Sequence, residues 1–302
     1  MAKKTKKYGF TLIELLVVIA IIALLLSVIL PSLKKAKELA AGVVCSSNQG
    51  QLVKSWLAYA VDNDDYFIDG QLSRNVGANA GYDSFTRPAQ FGGAVRFRTF
   101  AGRPMDENGV ARNTTLDDKI RGFQAGGLWP YIDNPKAYHC PADKRHLKPA
   151  EHRPAEMGGY RTYSIGKVLS KAWWSSGTGD DMGQVLAEIS KTTEFVNPSQ
   201  KFVFIEETDG YGFNSNTFHF NLRQPEWRDP FAAMHTDSST FGYADGSAGR
   251  RKWVDEQTLE VARNQWRNRT ARDPSTGSVE DYVWFRSRYI PGRTPGSLQI
   301  SL

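Results

Sequence analysis

A few residues in this chain have the types and spacing to do chemistry. Cys45 and Cys140 are its two cysteines. In an oxidising compartment they could bridge; otherwise they are two free buried thiols, and spacing does not choose between these. His139 stands directly before Cys140, but no second Cys-His pair accompanies it. The five histidines (His139, His146, His152, His219 and His235) fall at no metal-binding interval, so no zinc-type site is expected. Asp62, Asp64 and Asp65 crowd into one short run, and their carboxylates are candidate calcium ligands. The run lacks the spacing of an EF-hand loop, and turn formation at a helix end accounts for it equally. His235 stands ten residues before Asp245, which Gly246 follows. That pair could share a metal or a hydrogen bond, or could belong to a structural hairpin with a capping histidine. No nucleotide loop, HExxH or GxSxG is present. Neither catalytic residues nor a cofactor are therefore expected.

One further residue is chemically out of place. Phe10 to Leu30 is an apolar run with the single charge Glu14 and no glycine or proline. Its length as a helix, roughly 32 Å, matches a bilayer core. Lys3, Lys4, Lys6 and Lys7 precede it, which keeps the N-terminus cytoplasmic and sends the remainder outward. A carboxylate costs about 2.5–3.5 kcal/mol at mid-bilayer and less near its edge, so Glu14 calls for a partner. A cleavable secretory signal would have a shorter apolar region and a small-x-small site. A lipoprotein signal would place a small residue before its cysteine, whereas Val44 precedes Cys45. A plain signal anchor is the simple alternative.

The stretch Lys7-Tyr8-Gly9-Phe10-Thr11-Leu12-Ile13-Glu14-Leu15-Leu16 resembles the leader junction of type IV prepilins and type II secretion pseudopilins. The resemblance implies cleavage after Gly9 by a membrane-embedded prepilin peptidase and N-methylation of Phe10. It assigns Glu14 the family's glutamate and Pro31 its helix-kinking proline. Glycine before the cut lets backbone lie close in a protease cleft. Removing the lysine-rich leader frees the helix to leave the bilayer. In a filament Glu14 could then pair with the new amine of a neighbouring Phe10, so that neither buried charge is left alone. Pro31 need not end the helix. Beyond it, Ala41, Val44, Cys45, Leu52, Trp56 and Tyr59 recur near helical spacing and predict a stripe docked on a globular domain.

The rest of the chain supplies that domain. A glycine-rich stretch to Gly127 predicts long loops. Lys201 to Ile205 reads as a buried strand. Thr240 to Ala244, Asp245-Gly246 and Ser247 to Trp253 read as strand, tight turn and strand, with a two-residue type I′ turn expected for Asp-Gly. The His235-x9-Asp245-Gly246 pattern resembles a C-terminal signature of pilin-like proteins in planctomycete and verrucomicrobial bacteria. The stretches at Cys45-Ser46-Ser47-Asn48 and Cys140-Pro141-Ala142-Asp143 resemble other blocks of that group. The tail mixes Arg263, Arg267, Arg269, Arg272, Arg286 and Arg288 with Trp266, Trp284 and Phe285. Asp255, Glu256, Glu260, Asp273, Glu280 and Asp281 dilute that basic patch, so core and solvent outweigh nucleic-acid binding.

These elements fit 302 residues with 40% hydrophobic content and a mean hydropathy of −0.45, which excludes polytopic membrane, collagenous and wholly disordered classes. Of the net charge of +6, the four leader lysines supply most. The expected fold is α+β and pilin-like: a long N-terminal helix, half membrane and half docked, on an antiparallel β-sheet with long loops. The expected divisions are a leader over 1–9, a transmembrane or filament-core helix over 10–30, an amphipathic extension over 31–62 and a periplasmic globular domain over 63–302. The expected function is a pseudopilin-like structural subunit, non-enzymatic, without cofactor. Its partners are prepilin peptidase, other pilin subunits and the inner membrane, with no nucleic acid. The alternative is a membrane-anchored periplasmic carbohydrate-binding or hydrolytic domain. That reading rests on the 8 tryptophans and 12 tyrosines and requires exposed, coplanar rings beside a carboxylate pair.

Overall fold

The computed structural model describes residues 11–68, 70, 99–150, 153–169, 189–208, 217–222, 224–264, 269–271, 276–289 and 291–292. Gly9, Phe10, the leader and the glycine-rich stretch over 71–98 lie outside the described residues. The fold is α+β. Helix α1 (Leu12–Val61) runs unbroken for 50 residues, roughly 75 Å at 1.5 Å per residue. Thr11 caps its start: the hydroxyl accepts from the Glu14 N–H at 3.2 Å, and the Glu14 carboxylate accepts from the Thr11 N–H at 2.8 Å. This reciprocal pair satisfies two amides that an uncapped helix leaves open. Pro31 sits inside the helix without ending it.

The two halves of α1 differ in what they touch. From Leu12 to Leu33 the apolar side chains are exposed, and none of the most apolar window is covered by the rest of the chain. From Gly42 onward, Cys45, Gln49, Leu52, Val53, Trp56 and Ala60 are buried, a stripe at intervals of three and four. Val44, expected in that stripe, points outward and is 47% exposed. Cys45, Leu52 and Trp56 are buried as expected, Ala41 and Tyr59 are half-buried, and Gln49, Val53 and Ala60 complete the docked stripe.

The docked half lies on a five-stranded sheet made of β3 (Tyr163–Gly166), β4 (Phe202–Glu206), β5 (Thr217–Phe218), β7 (Ser238–Tyr243) and β8 (Ala248–Lys252). Across the sheet their order is β5-β3-β4-β7-β8. All pairings are antiparallel except β3 with the two-residue β5. The sheet is therefore mixed at that edge rather than purely antiparallel. Short ladders pair β1 (Pro149–Ala150) with β2 (Arg153–Met157), and β6 (Glu226–Trp227) with β9 (Arg269–Thr270). Helix α2 (Leu116–Gln124), with its own capping box from Thr115 and Asp118, precedes the strands. Helices α3 (Glu256–Asn264) and α4 (Glu280–Tyr289) follow the sheet.

The β7–β8 hairpin forms where Asp245-Gly246 announces it, but not as a type I′ turn. Gly242 pairs with Ala248, and the Tyr243 N–H donates to Ser247, which leaves a three-residue loop of Ala244, Asp245 and Gly246. Gly246 has φ +91° while Asp245 is not left-handed, the pattern of a type I turn completed by a glycine bulge.

Helix and sheet approach closely where the strand lacks a side chain. A Cβ on Gly242 would lie 2.5 Å from Val53 Cγ2. Beside it, Gln49 Nε2 donates to the Thr240 carbonyl at 2.6 Å and meets its hydroxyl at 2.8 Å. On the opposite face α4 packs Phe285 and Tyr289 against Phe202, Phe218 and Phe220. Trp227, Phe231, Phe241 and Trp253 extend this aromatic core.

Candidate functional site

The docked half of α1 carries a buried polar centre that joins it to the sheet. Cys45 comes from α1, Glu206 from the end of β4, and His235 from the turn before β7. Cys140 comes from the loop after the 3-10 helix Pro135–Tyr138. All four are buried, and their ligand atoms lie within 4.8 Å of one another. The two sulfurs are 2.7 Å apart. His235 Nε2 lies 2.9 Å from Glu206 Oε1 and 3.5 Å from Cys140 Sγ.

Three of the four members are oriented from behind. His235 Nδ1 faces the Glu38 carbonyl of α1 at 3.2 Å. A carbonyl only accepts, so Nδ1 carries a proton and Nε2 is the atom presented to the cluster. The Thr240 N–H and hydroxyl both donate to the Glu206 carboxylate, at 3.2 and 2.8 Å. The Cys140 N–H donates to the Thr162 hydroxyl, which donates to Asp143. Arg145 pairs with that same Asp143 at 2.7 Å, which locks the Cys140–Asp143 turn.

The centre attracts positive charge. Burial works against an imidazolium at His235, but the acceptors Cys140 and Glu206 outweigh it and push the group up to about 10. The hydrogen bond to Cys140 and burial together drive the Cys45 thiol far up. At Cys140 burial also acts upward, yet donation from Cys45 and His235 carries the group below its ordinary value.

The other sequence-expected groups separate. Asp62 ends α1 and accepts from the Tyr131 hydroxyl at 2.9 Å. Asp64 and Asp65 have positive φ in the turn that follows. The Asp65 carboxylate is engaged by Thr192 and Thr193. Asp245 accepts from the Ser247 N–H and hydroxyl at its own turn, while His235 lies in the buried centre. The two ends of the pattern thus serve different places. In the tail, Arg263 pairs with Glu256 and Asp237, and Arg251 with Glu280 and Asp281. Trp56, Trp227 and Trp253 are fully buried, so these rings offer no face for stacking on a sugar.

At the other end of α1, Glu14 has a partner in its own chain, the capped Thr11. The carboxylate at the head of the apolar half is thus engaged by the Thr11 amide and hydroxyl, with no counter-charge from these two groups. The prokaryotic N-terminal methylation motif matches residues 4–30, across that same segment. The type IV wide pilus major component PilA4 of Thermus thermophilus is 47% identical over 58 residues, 19% of this chain and 44% of that protein. Over this N-terminal segment the chain is type IV prepilin-like. It spans less than half the length of that curated relative, and no solved structure matches it.

In this prepilin-like chain Gly9 and Phe10 fall inside the matched segment but outside the described residues, whereas Glu14 is inside both. Sequence reasoning missed Glu206 and the convergence of His235 with the cysteines. Cys140 lies 95 residues from both Cys45 and His235, so no local spacing signals the group. The available clue was Glu206 itself, an acid closing an otherwise apolar strand.

Proposed function

We propose that the chain is a pseudopilin-like structural subunit of a type II secretion or type IV pilus-like filament. Prepilin peptidase cleaves it after Gly9 and N-methylates Phe10. Before cleavage it is anchored in the inner membrane with Lys3 to Lys7 cytoplasmic and the globular domain periplasmic; afterwards it joins other pilin subunits, with a cell-surface filament as one destination. The divisions at 1–9, 10–30, 31–62 and 63–302 follow from that path. One observation carries the reading: α1 is a single helix whose second half is docked while its first, from Leu12 to Leu33, is uncovered by its own domain. Such a large apolar surface demands either lipid or neighbouring helices. A filament built on packed N-terminal helices supplies the second after the first.

The matched methylation motif and the likeness to a pilus component support this. Mass spectrometry of the chain from cells with active prepilin peptidase tests it. The expected N-terminus is methylated Phe10, with processing abolished by Gly9→Leu. An intact leader in such cells overturns the reading.

A further inference from the structure

We propose that Cys45, Cys140, Glu206 and His235 form a structural zinc site that fastens α1 to the sheet. Four donors of the types zinc prefers, two thiolates, one imidazole and one carboxylate, converge from four chain segments in a buried centre. Two thiolates beside one imidazole and one carboxylate favour zinc over the hard, oxygen-seeking cations. The surroundings are those of a ligand shell. The His235 Nδ1–H is spent on the Glu38 carbonyl, which aims Nε2 inward, and Thr240 holds Glu206 through two hydrogen bonds. Such outer partners fix the tautomer and orientation of metal ligands.

The contacts at Nε2 favour an ion over a proton. Glu206 Oε1 and Cys140 Sγ both converge on this one atom. A single N–H points well at only one acceptor, whereas a cation at their common centre serves nitrogen, oxygen and both sulfurs. The sulfurs stand 2.7 Å apart. A disulfide bond is about 2.05 Å, and two sulfurs on a zinc tetrahedron with bonds of about 2.3 Å stand roughly 3.8 Å apart. A disulfide would use two of the four donors and leave His235 Nε2 with Glu206 alone at the centre. Zinc uses all four, after the sulfurs part by about 1 Å. Binding releases the two thiol protons and the proton on Nε2 to solvent, with no change of oxidation state.

The test uses the full chain purified in detergent without chelator or added thiol. Elemental analysis, intact mass and thiol titration are expected to give one zinc per chain and two thiols that react only after denaturation with chelator. Replacing zinc by Co²⁺ should produce a thiolate-to-cobalt charge-transfer band that Cys45→Ser weakens by about half. Thr240→Val, which removes a donor to Glu206 without touching a ligand, should lower zinc affinity about 10–100-fold. Should Cys45→Ser fail to fold, the wild-type cobalt spectrum decides alone. A chain lighter by two hydrogens with no titratable thiol is a disulfide and overturns the proposal. Two titratable thiols with neither zinc nor a cobalt band at equimolar metal overturn it as well.

Discussion

Gly242→Ala tests the docking of α1 more directly than any surface change. The added methyl would stand 2.5 Å from Val53 Cγ2, with the Gln49 carbonyl behind it at 3.2 Å. Ordinary carbon contacts lie at about 3.5–4.0 Å, so something must yield by more than about 1 Å. Val53 is fully buried in a helix, and its branched side chain has essentially one rotamer there. The helix itself must therefore lift from β7, at a cost of about 1–3 kcal/mol. Val53→Ala alone should cost about 2 kcal/mol, for lost apolar contact and the cavity it leaves. The double variant tests the contact, because truncating Val53 vacates the space that the new Cβ on β7 needs. Its cost should fall short of the summed single costs by about 1–2 kcal/mol. Urea unfolding of the detergent-solubilised full chain, followed by near-ultraviolet dichroism of the buried tryptophans, measures all four corners of this cycle. Additivity within about 0.5 kcal/mol, or a neutral Gly242→Ala, would refute this register of helix on sheet.

Two other perturbations separate roles that the structure superimposes. Glu14→Gln keeps an acceptor for the Thr11 N–H, since glutamine also closes a capping box, but removes the charge. The expected result is normal processing with loss of filament incorporation, read by shearing filaments and blotting; normal incorporation would show that the cap alone matters. Asp118 gives a pH signature: burial raises its carboxyl, but hydrogen bonds from the Thr114 amide, Arg112 and Thr115 outweigh this and hold it at about 2. Its folded value lies below the unfolded one, so its stabilisation, about 2 kcal/mol, is fully present above pH 3.8 and lost as pH falls toward 2. Asp118→Asn should flatten that part of the acid-stability curve, and an unchanged slope would count against the buried network.

What the sequence discloses follows the range of its interactions. The apolar run, the Phe202–Glu206 strand and the Asp245-Gly246 reversal are local patterns of composition and period, and each forms near its expected place. The errors are small and physical. Val44 faces out because the contact with β7 selects Cys45 and Gln49 on the docked face. The hairpin takes three loop residues because only Gly246 adopts positive φ. The parallel β3–β5 pairing is not legible, since nothing local distinguishes a two-residue strand.

The polar centre was hidden for a deeper reason. His235 belongs with Glu206 on the next strand and with Cys140 on a distant loop, and only the antiparallel register of β4 on β7 brings them together. That register pairs Ile205 with Phe241 and so sets Thr240 against the carboxylate of Glu206. Gln49 then reads the same threonine from α1, placing Cys45 one turn earlier on the docked face. The centre can exist only when helix, sheet and Cys140 loop are all in place. A bond or ion formed there therefore favours the docked state alone, by as much free energy as it gains on forming. Docking in turn holds the uncovered half of α1 in fixed relation to the domain it carries. In the proposed filament, that rigidity would let a domain on the outside follow the register of packed helices within.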